Sequence, residues 1–337
     1  MRDEQPYALN IMYRAGHSYV WELADKSGIL GRLGLSIATL EEADWAGKAD
    51  EALFNGKIDF IVGNHISPYR HVAAGKPIVC IASPGNFVNG RVLSRQPFGS
   101  VDEMVAAFDG KQVRIADCHT LDEHGALRHG RGNHFIEMFR AGFQPDAIDW
   151  QELDFEHAPG LDAKVIDAVK SGRADLGFGY GRFNEELERV GLYEMTLPTL
   201  PMVNGSTITT SYEALSKKER LAERLVEAMV LTIHYARAHA EDAQRLFNTN
   251  MGRPYQEHRS RVESVSRYRM KPYPDTDGIA NVYELCTMVS EEAKTIKPMA
   301  VWDMHYLREL DQTGFIDELI QELPESARDS GSLPTGG

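Results

Sequence analysis

The sequence predicts an α/β protein of two lobes, and three observations carry that expectation: its length, a β-α-β-α-β opening and an internal repeat. The 337 residues are too many for one ordinary core and suit two lobes of average domain size. Apolar residues make up 42% and charged residues 26%, so a folded globular chain rather than disorder is expected. The opening reads as a strand over Tyr7 to Tyr13, a helix over Ser18 to Ser27 stopped by Gly28, and a strand over Leu33 to Thr39. A helix over Trp45 to Asn55 follows, with Gly56 at its C-cap, and then a strand over Ile58 to Val62. Strands alternating with helices predict largely parallel sheets with helices on both faces.

The repeat pairs Ala49 to Gly63 with Val165 to Gly179 without a gap. Ala52 matches Ala168, Gly56 matches Gly172, Asp59 matches Asp175 and Gly63 matches Gly179. Each copy is a helix, a glycine suited to the left-handed cap, a basic residue, a buried strand and a closing glycine. Two ordinary αβ units can converge by chance, but agreement at four punctuating positions favours a similar unit in each of two lobes.

The discontinuous first lobe is expected at 1–93 plus 205–325, the second at 94–204, and a disordered tail at 326–337. Within the second lobe the pattern gives a helix at Val101 to Phe108, a strand at Gln112 to Ala116 and a helix around His134 to Ala141. A strand near Ile148 to Leu153, a helix at Leu161 to Lys170 and a strand at Asp175 to Phe178 complete it. Met195 to Ser211 is extended and suits a return crossing. Beyond Lys217 the chain turns helical, with Leu221, Leu225, Met229 and Ile233 at helical spacing. Further helices are expected near Pro254 to Ser266, Ile279 to Lys294 and Trp302 to Gln321, forming a helical C-terminal extension.

Fifty acidic against 36 basic side chains give a net charge of -14. No basic run offsets it, so nucleic acid is not an expected partner. No stretch reaches the roughly 18 apolar residues of a membrane-spanning helix, so no membrane insertion is expected. Cys80, Cys118 and Cys286 are odd in number and widely spaced, unlike a disulfide framework or a structural zinc site. The start, Met1 to Pro6, shows none of the regions of a secretory signal. A full-length chain is therefore expected in the cytoplasm, and one from which a signal was removed in the periplasm.

Several blocks together resemble the type 2 periplasmic-binding proteins, in particular those for sulfonate, taurine and nitrate, and the related thiamine-pyrimidine synthase family. They are Asn10 to His17, where the first strand runs into a helix, Gly56 to Phe60, Ala73 to Ile78, Gly110 to Val113 and Gly172 to Asp175. The resemblance implies the two-lobed type 2 periplasmic-binding fold, with ligand in a cleft at the carboxyl ends of the strands, where the general rule for open α/β sheets also puts it. It implies either a transporter-linked binder or an enzyme, because the family holds both on one scaffold. Its enzymes include a dihydroxyphthalate decarboxylase and a biphenyl sulfinate desulfinase, the latter with a cysteine in the first strand-to-helix loop. Here Tyr13 to Ser18 contains His17 and no cysteine, a departure that argues against the same chemistry.

On that fold the loops after strands face the ligand. The first offers Arg14, His17 and Ser18; the third offers Asn64 and His65, with Tyr69, Arg70 and His71 a turn later. The second lobe offers Asp117, Cys118 and His119, and then Tyr180 and Arg182. His17 lies just ahead of a helix, where unpaired backbone N–H groups favour an anion. Arg14, Arg70 and Arg182 offer a planar fork to a carboxylate, sulfonate or sulfinate, whereas Arg91 and Arg131 read as surface ion pairs. Tyr13, Tyr69, Phe87 and Tyr180 could stack on an aromatic ligand, although packing is the commoner use of such residues. For any one of His17, His65 and His119 a helix cap or a backbone contact is the ordinary role; across all three, ligand contact by at least one is expected.

His119, His124, His129 and His134 recur every five residues, about 500° of helix, so successive members do not share a face. With Gly125, Gly130 and Gly132 among them, they read as a loop over the cleft rather than as a metal site. No cofactor motif is present, and neither metal nor cofactor is expected.

Two functions stay open on these grounds. The first is a binding protein for a small anionic organic or aromatic acid, partnered by an ABC permease if exported. The alternative is a cytoplasmic decarboxylase- or desulfinase-like lyase or hydrolase, with His17 and His65 moving protons in a water-poor cleft.

Overall fold

The structure, a computed structural model, describes residues 6–14, 17–43, 46–63, 66–117, 131–153, 161–178, 190–248 and 255–328. The chain forms two units: unit 1, Met1–Asn86 with Pro201–Gly337, and unit 2, Phe87–Leu200.

Unit 1 is built on a five-stranded sheet. Its strands are β1 (Tyr7–Tyr13), β2 (Leu35–Glu42), β3 (Phe60–Val62) and β4 (Ile78–Ala82), with β12 (Ile208–Ser211) from the returning chain. The order is β2-β1-β3-β12-β4. β1 runs parallel to β2 and β3, while β12 is antiparallel to both β3 and β4. Alternate residues of one strand enter different cores, as the strand period of two requires. Phe60 and Val62 join the core beneath helix α1 (Tyr19–Lys26) and the long helix Leu221–Ala238. Ile61 faces a second core containing Ala49, Ala52 and Leu53 of helix α3 (Ala46–Phe54). The helical spacing read at Leu221, Leu225, Met229 and Ile233 is the buried stripe of that long helix.

Unit 2 carries a second sheet, of β6 (Arg91–Ser94), β7 (Val113–Asp117), β8 (Ile148–Glu152), β9 (Leu176–Phe178) and β10 (Tyr193–Thr196). Its order is β10-β6-β9-β7-β8. β7 is parallel to β8 and β9, and β6 is antiparallel to β9 and β10. Written from the other edge, this is the order of the first sheet: second strand, first strand, third strand, one antiparallel strand, fourth strand. The α/β fold with largely parallel sheets expected from the sequence is therefore present, and it is built twice.

The repeat has a structural cause at its aspartate. Asp59 N–H donates to the Asn10 carbonyl at 2.8 Å, and the Asp59 carboxylate accepts from Asn10 N–H at 2.8 Å. Asp175 does the same with Arg114, at 2.8 and 3.0 Å. In both units this carboxylate satisfies a backbone donor of the first strand just ahead of the third, where the ladder has not yet begun. Gly56 and Gly172 hold φ of 63° and 80°, the left-handed turn between helix and strand that the repeat anticipated.

Three local readings differ from the sequence expectation. Gly85 to Gly90 reads as a turn-rich loop, yet Gly85–Val88 forms β5, which pairs with β11 (Leu200–Asn204) where the chain crosses between the units. The helix expected over Trp302 to Gln321 is two, His305–Gln312 and Phe315–Glu322, broken at Gly314 with φ 82°. The helix expected at Ile279 to Lys294 runs over Thr276–Val289, capped by the Asp275 carboxylate, and yields to a 3-10 turn at Glu292–Thr295.

Candidate functional site

The carboxyl ends of β1 and β3 place Arg14 and His17 side by side. Arg14 N–H donates to the Val62 carbonyl at 2.9 Å, continuing the β1–β3 pairing one residue past the strand. Its buried guanidinium donates to the Ala43 carbonyl at 3.3 Å. His17 N–H, just ahead of α1, donates to the Arg14 carbonyl at 2.9 Å. The His17 ring lies against Gly63, where a Cβ would come within 2.4 Å of Cδ2. Gly63 also holds φ of 86°, so the closing glycine of the repeat serves two purposes: it turns the chain and makes room for an imidazole.

The returning chain holds this corner from the other side. Gly63 N–H donates to the Thr207 carbonyl at 2.9 Å, and Ser206 Oγ donates to the His17 carbonyl at 3.2 Å. Ser206 Oγ also meets the Tyr268 hydroxyl at 3.3 Å. Sequence reasoning missed Ser206 and Tyr268, because nothing local links them to a turn 189 residues earlier in the chain.

The other predicted site residues in unit 1 divide. Ser18 is buried, and its hydroxyl donates to Glu22 Oε1 one helical turn later, so its side chain is engaged with α1. Arg70 is half-buried on helix α4 (Ser67–Ala73), close enough to Cys286 for its charge to oppose the upward push that burial gives that thiol. Tyr69 is a packing residue: it is fully buried, its hydroxyl accepts from Trp302 Nε1 at 3.1 Å, and burial raises its pKa. His71 reaches the buried Asp50 carboxylate at 2.8 Å, and Ser67 Oγ donates to the same group at 3.1 Å, fastening α4 to α3. Asn64, His65, His119, Tyr180 and Arg182 lie outside the described residues, as do Cys118, His124, His129 and the rest of 118–130.

In unit 2 the carboxyl end of β7 carries Asp117, and helix α6 (Arg131–Ala141) carries His134. Their side chains meet, Nδ1 to Oδ2, at 2.8 Å, and both residues are buried. Glu137, one turn along α6, is buried too, and its carboxyl is raised above the usual range by desolvation, with the neighbouring His134 acting against that rise. Arg91 forms the ion pair its surface position predicted, with Glu194 at 3.2 Å.

The two described cysteines are inert. Cys80 touches Thr209 Oγ1 at 3.3 Å and burial pushes its thiol up to about 12; Cys286 donates to the Ile66 carbonyl and is raised further. Among the described residues no group of three or more His, Cys, Asp or Glu could hold a metal ion, and no helix is long and apolar enough to cross a membrane.

No family model matches the sequence, and no curated protein matches it. Solved structures do match. The periplasmic sulfonate-binding protein SsuA from Methylobacillus flagellatus KT is 15% identical, with 93% of this chain and 97% of that one covered and a TM-score of 0.61. The periplasmic aliphatic sulphonate binding protein SsuA from Escherichia coli is 18% identical, covering 89% and 93%, at a TM-score of 0.58. A cysteine-to-serine mutant of DSZB in complex with biphenyl-2-sulfinic acid is 14% identical, covering 91% and 99%, at 0.54. The chain has the two-lobed fold of the periplasmic-binding proteins.

Proposed function

We propose that this protein binds a small organic acid at the carboxyl ends of its parallel strands, in the manner of the substrate-binding component of an import system. The observation that carries the reading is the corner at β1 and β3, where Arg14, with a buried guanidinium, accepts through its carbonyl from His17 N–H and Gly63 leaves room for the imidazole. Arg14 supplies the fixed charge, and His17 a donor or acceptor that changes with protonation. Fold neighbours described as sulfonate-binding proteins support an acid as the ligand class. Asn64, His65 and Arg70 on the first unit, and His119, Tyr180 and Arg182 on the second, are proposed as further contacts from their positions after strands. Ser18 is proposed to act through its backbone, since its hydroxyl is held by Glu22. An ABC permease is the proposed partner of an exported form.

A second reading is a lyase acting on an aromatic acid, favoured by the fold shared with DSZB bound to a sulfinic acid. The buried thiols of Cys80 and Cys286 do not suit a nucleophile, so protons would move through imidazoles such as His17 and His65.

One experiment separates the two: ligand NMR on the purified protein with methanesulfonate, taurine, benzoate, benzenesulfonate and biphenyl-2-sulfinate. Broadened signals with the compound recovered intact support binding, and new product signals support the lyase. No response to any of these acids contradicts both.

A further inference from the structure

Behind the corner of β1 and β3 a second glycine does for a tyrosine what Gly63 does for His17. Gly205 holds φ of 77°, and a Cβ there would come within 2.8 Å of Tyr268 Cε1. Thr207 joins the two glycines: its carbonyl accepts from Gly63 N–H and its N–H donates to the Gly205 carbonyl, each at 2.9 Å. Ser206 is buried, with Oγ 3.2 Å from the His17 carbonyl and 3.3 Å from the Tyr268 hydroxyl. A serine hydroxyl carries one proton, and a carbonyl can only accept. Both contacts are therefore hydrogen bonds when Tyr268 donates to Ser206 and Ser206 donates to His17. Desolvation raises the Tyr268 pKa, so the phenol keeps the proton that this chain of donors needs. The tyrosine is itself held by its main chain: its carbonyl accepts from Arg237 Nη2 at 2.6 Å, and its N–H donates to the Val265 carbonyl at 3.1 Å. All of these residues belong to unit 1.

We propose that Tyr268 is a positioning residue of the organic-acid site: acting through Ser206, its hydroxyl fixes the main chain at His17, between β1 and α1. A binding corner works only while its parts keep their places to a fraction of an ångström, and that precision comes from the groups behind it. The gap at Gly63 sets where the His17 ring can lie, and the hydrogen bond to the His17 carbonyl sets where that ring begins. Gly205 is what lets the tyrosine ring come close enough for its hydroxyl to reach Ser206. The inference rests on the organic-acid reading above and adds a residue that stands behind that site.

The test uses the intact protein and its variants Tyr268→Phe, Ser206→Ala and the two combined, with benzenesulfonate and benzoate as probes. Each single variant should weaken binding about threefold to tenfold, the worth of one hydrogen bond. The double variant should lose no more than the larger single loss, because the two bonds lie in series. In ligand-free protein the carbonyl-carbon resonance of His17 should move in both single variants. A lower urea midpoint with affinity and the His17 carbonyl signal unchanged shows a structural role only; it overturns the inference and leaves the binding reading standing. Losses of affinity that add in the double variant also overturn it. Should Ser206→Ala fail to fold, Tyr268→Phe decides, because it removes one oxygen and keeps the ring beside Gly205. A wild-type protein that binds neither probe defeats the organic-acid reading itself, and this inference with it.

Discussion

Gly63 shows how much one position can carry. Its φ of 86° lies where an L side chain is strained by about 1–2 kcal/mol, and a Cβ there would collide with the His17 ring. Gly63→Ala is expected to lose at least that much stability by urea denaturation, and to weaken acid binding because the imidazole is displaced. Asp175 makes a prediction in pH. Hydrogen bonds from the Arg114 guanidinium hold its carboxyl below the usual range, against a smaller desolvation effect. A depressed folded pKa stabilises the protein above the unfolded value of about 3.9 and loses that contribution as pH falls through the folded value. Asp175→Asn should therefore be less stable than the wild type near neutrality, and the gap should close as the pH drops below about 4. Denaturation midpoints at pH 7, 5 and 3 would check this; a gap independent of pH would show that the carboxylate charge is not what matters. Both positions are legible in the sequence, because the repeat marks them in each unit. The Asp117–His134 pair is not, since 17 residues separate its members and the regular five-residue spacing of histidines points to a loop.

Among the elements, boundaries follow local chemistry where one residue dictates them. Gly28, Gly56 and Gly172 all take the left-handed conformation at the turns the pattern assigns to them. Boundaries escape the sequence where a tertiary partner decides: β5 contains glycine and asparagine and is a strand because β11 pairs with it. The same holds for the clamp on the C-terminal segment. Arg237, on the long helix, donates from Nε to the Ser266 carbonyl at 2.8 Å, from Nη2 to Tyr268 at 2.6 Å and from Nη1 to Ala327 at 3.2 Å. Burial lowers its pKa, yet the five-donor fork suits this three-carbonyl site. Each buried carbonyl left without a donor costs about 1–3 kcal/mol, so Arg237→Met should destabilise by at least about 2 kcal/mol. Arg237→Lys should recover only part of that loss, because one ammonium cannot span three carbonyls in fixed directions. Urea unfolding of both variants measures it, and a lysine variant as stable as the wild type would argue that only the charge is used.

For the whole molecule, the two sheets have the same order but unequal autonomy. All five strands of the second sheet, β6 to β10, lie within Phe87–Leu200, together with two apolar cores on its opposite faces, one around Val165 and Ala168, the other around Met104 and Met138. The first sheet instead places β12 between β3 and β4, and that strand arrives only after the whole of unit 2 has been made. The sequence shows the alternation of strands and helices, but not this insertion, because Thr210 and Phe60 pair across a separation that no periodicity records. A fragment of residues 87–200 is therefore expected to fold alone, with dispersed amide signals and a cooperative urea transition. A fragment of residues 1–200 should contain that folded unit beside an incomplete first sheet, whose β3 and β4 are left as unpaired edges prone to association. Sedimentation of the two fragments distinguishes the cases: the short one monomeric, the long one self-associating. If residues 87–200 instead stay unfolded, the second unit depends on the rest of the chain for stability, and its two cores cannot sustain it by themselves.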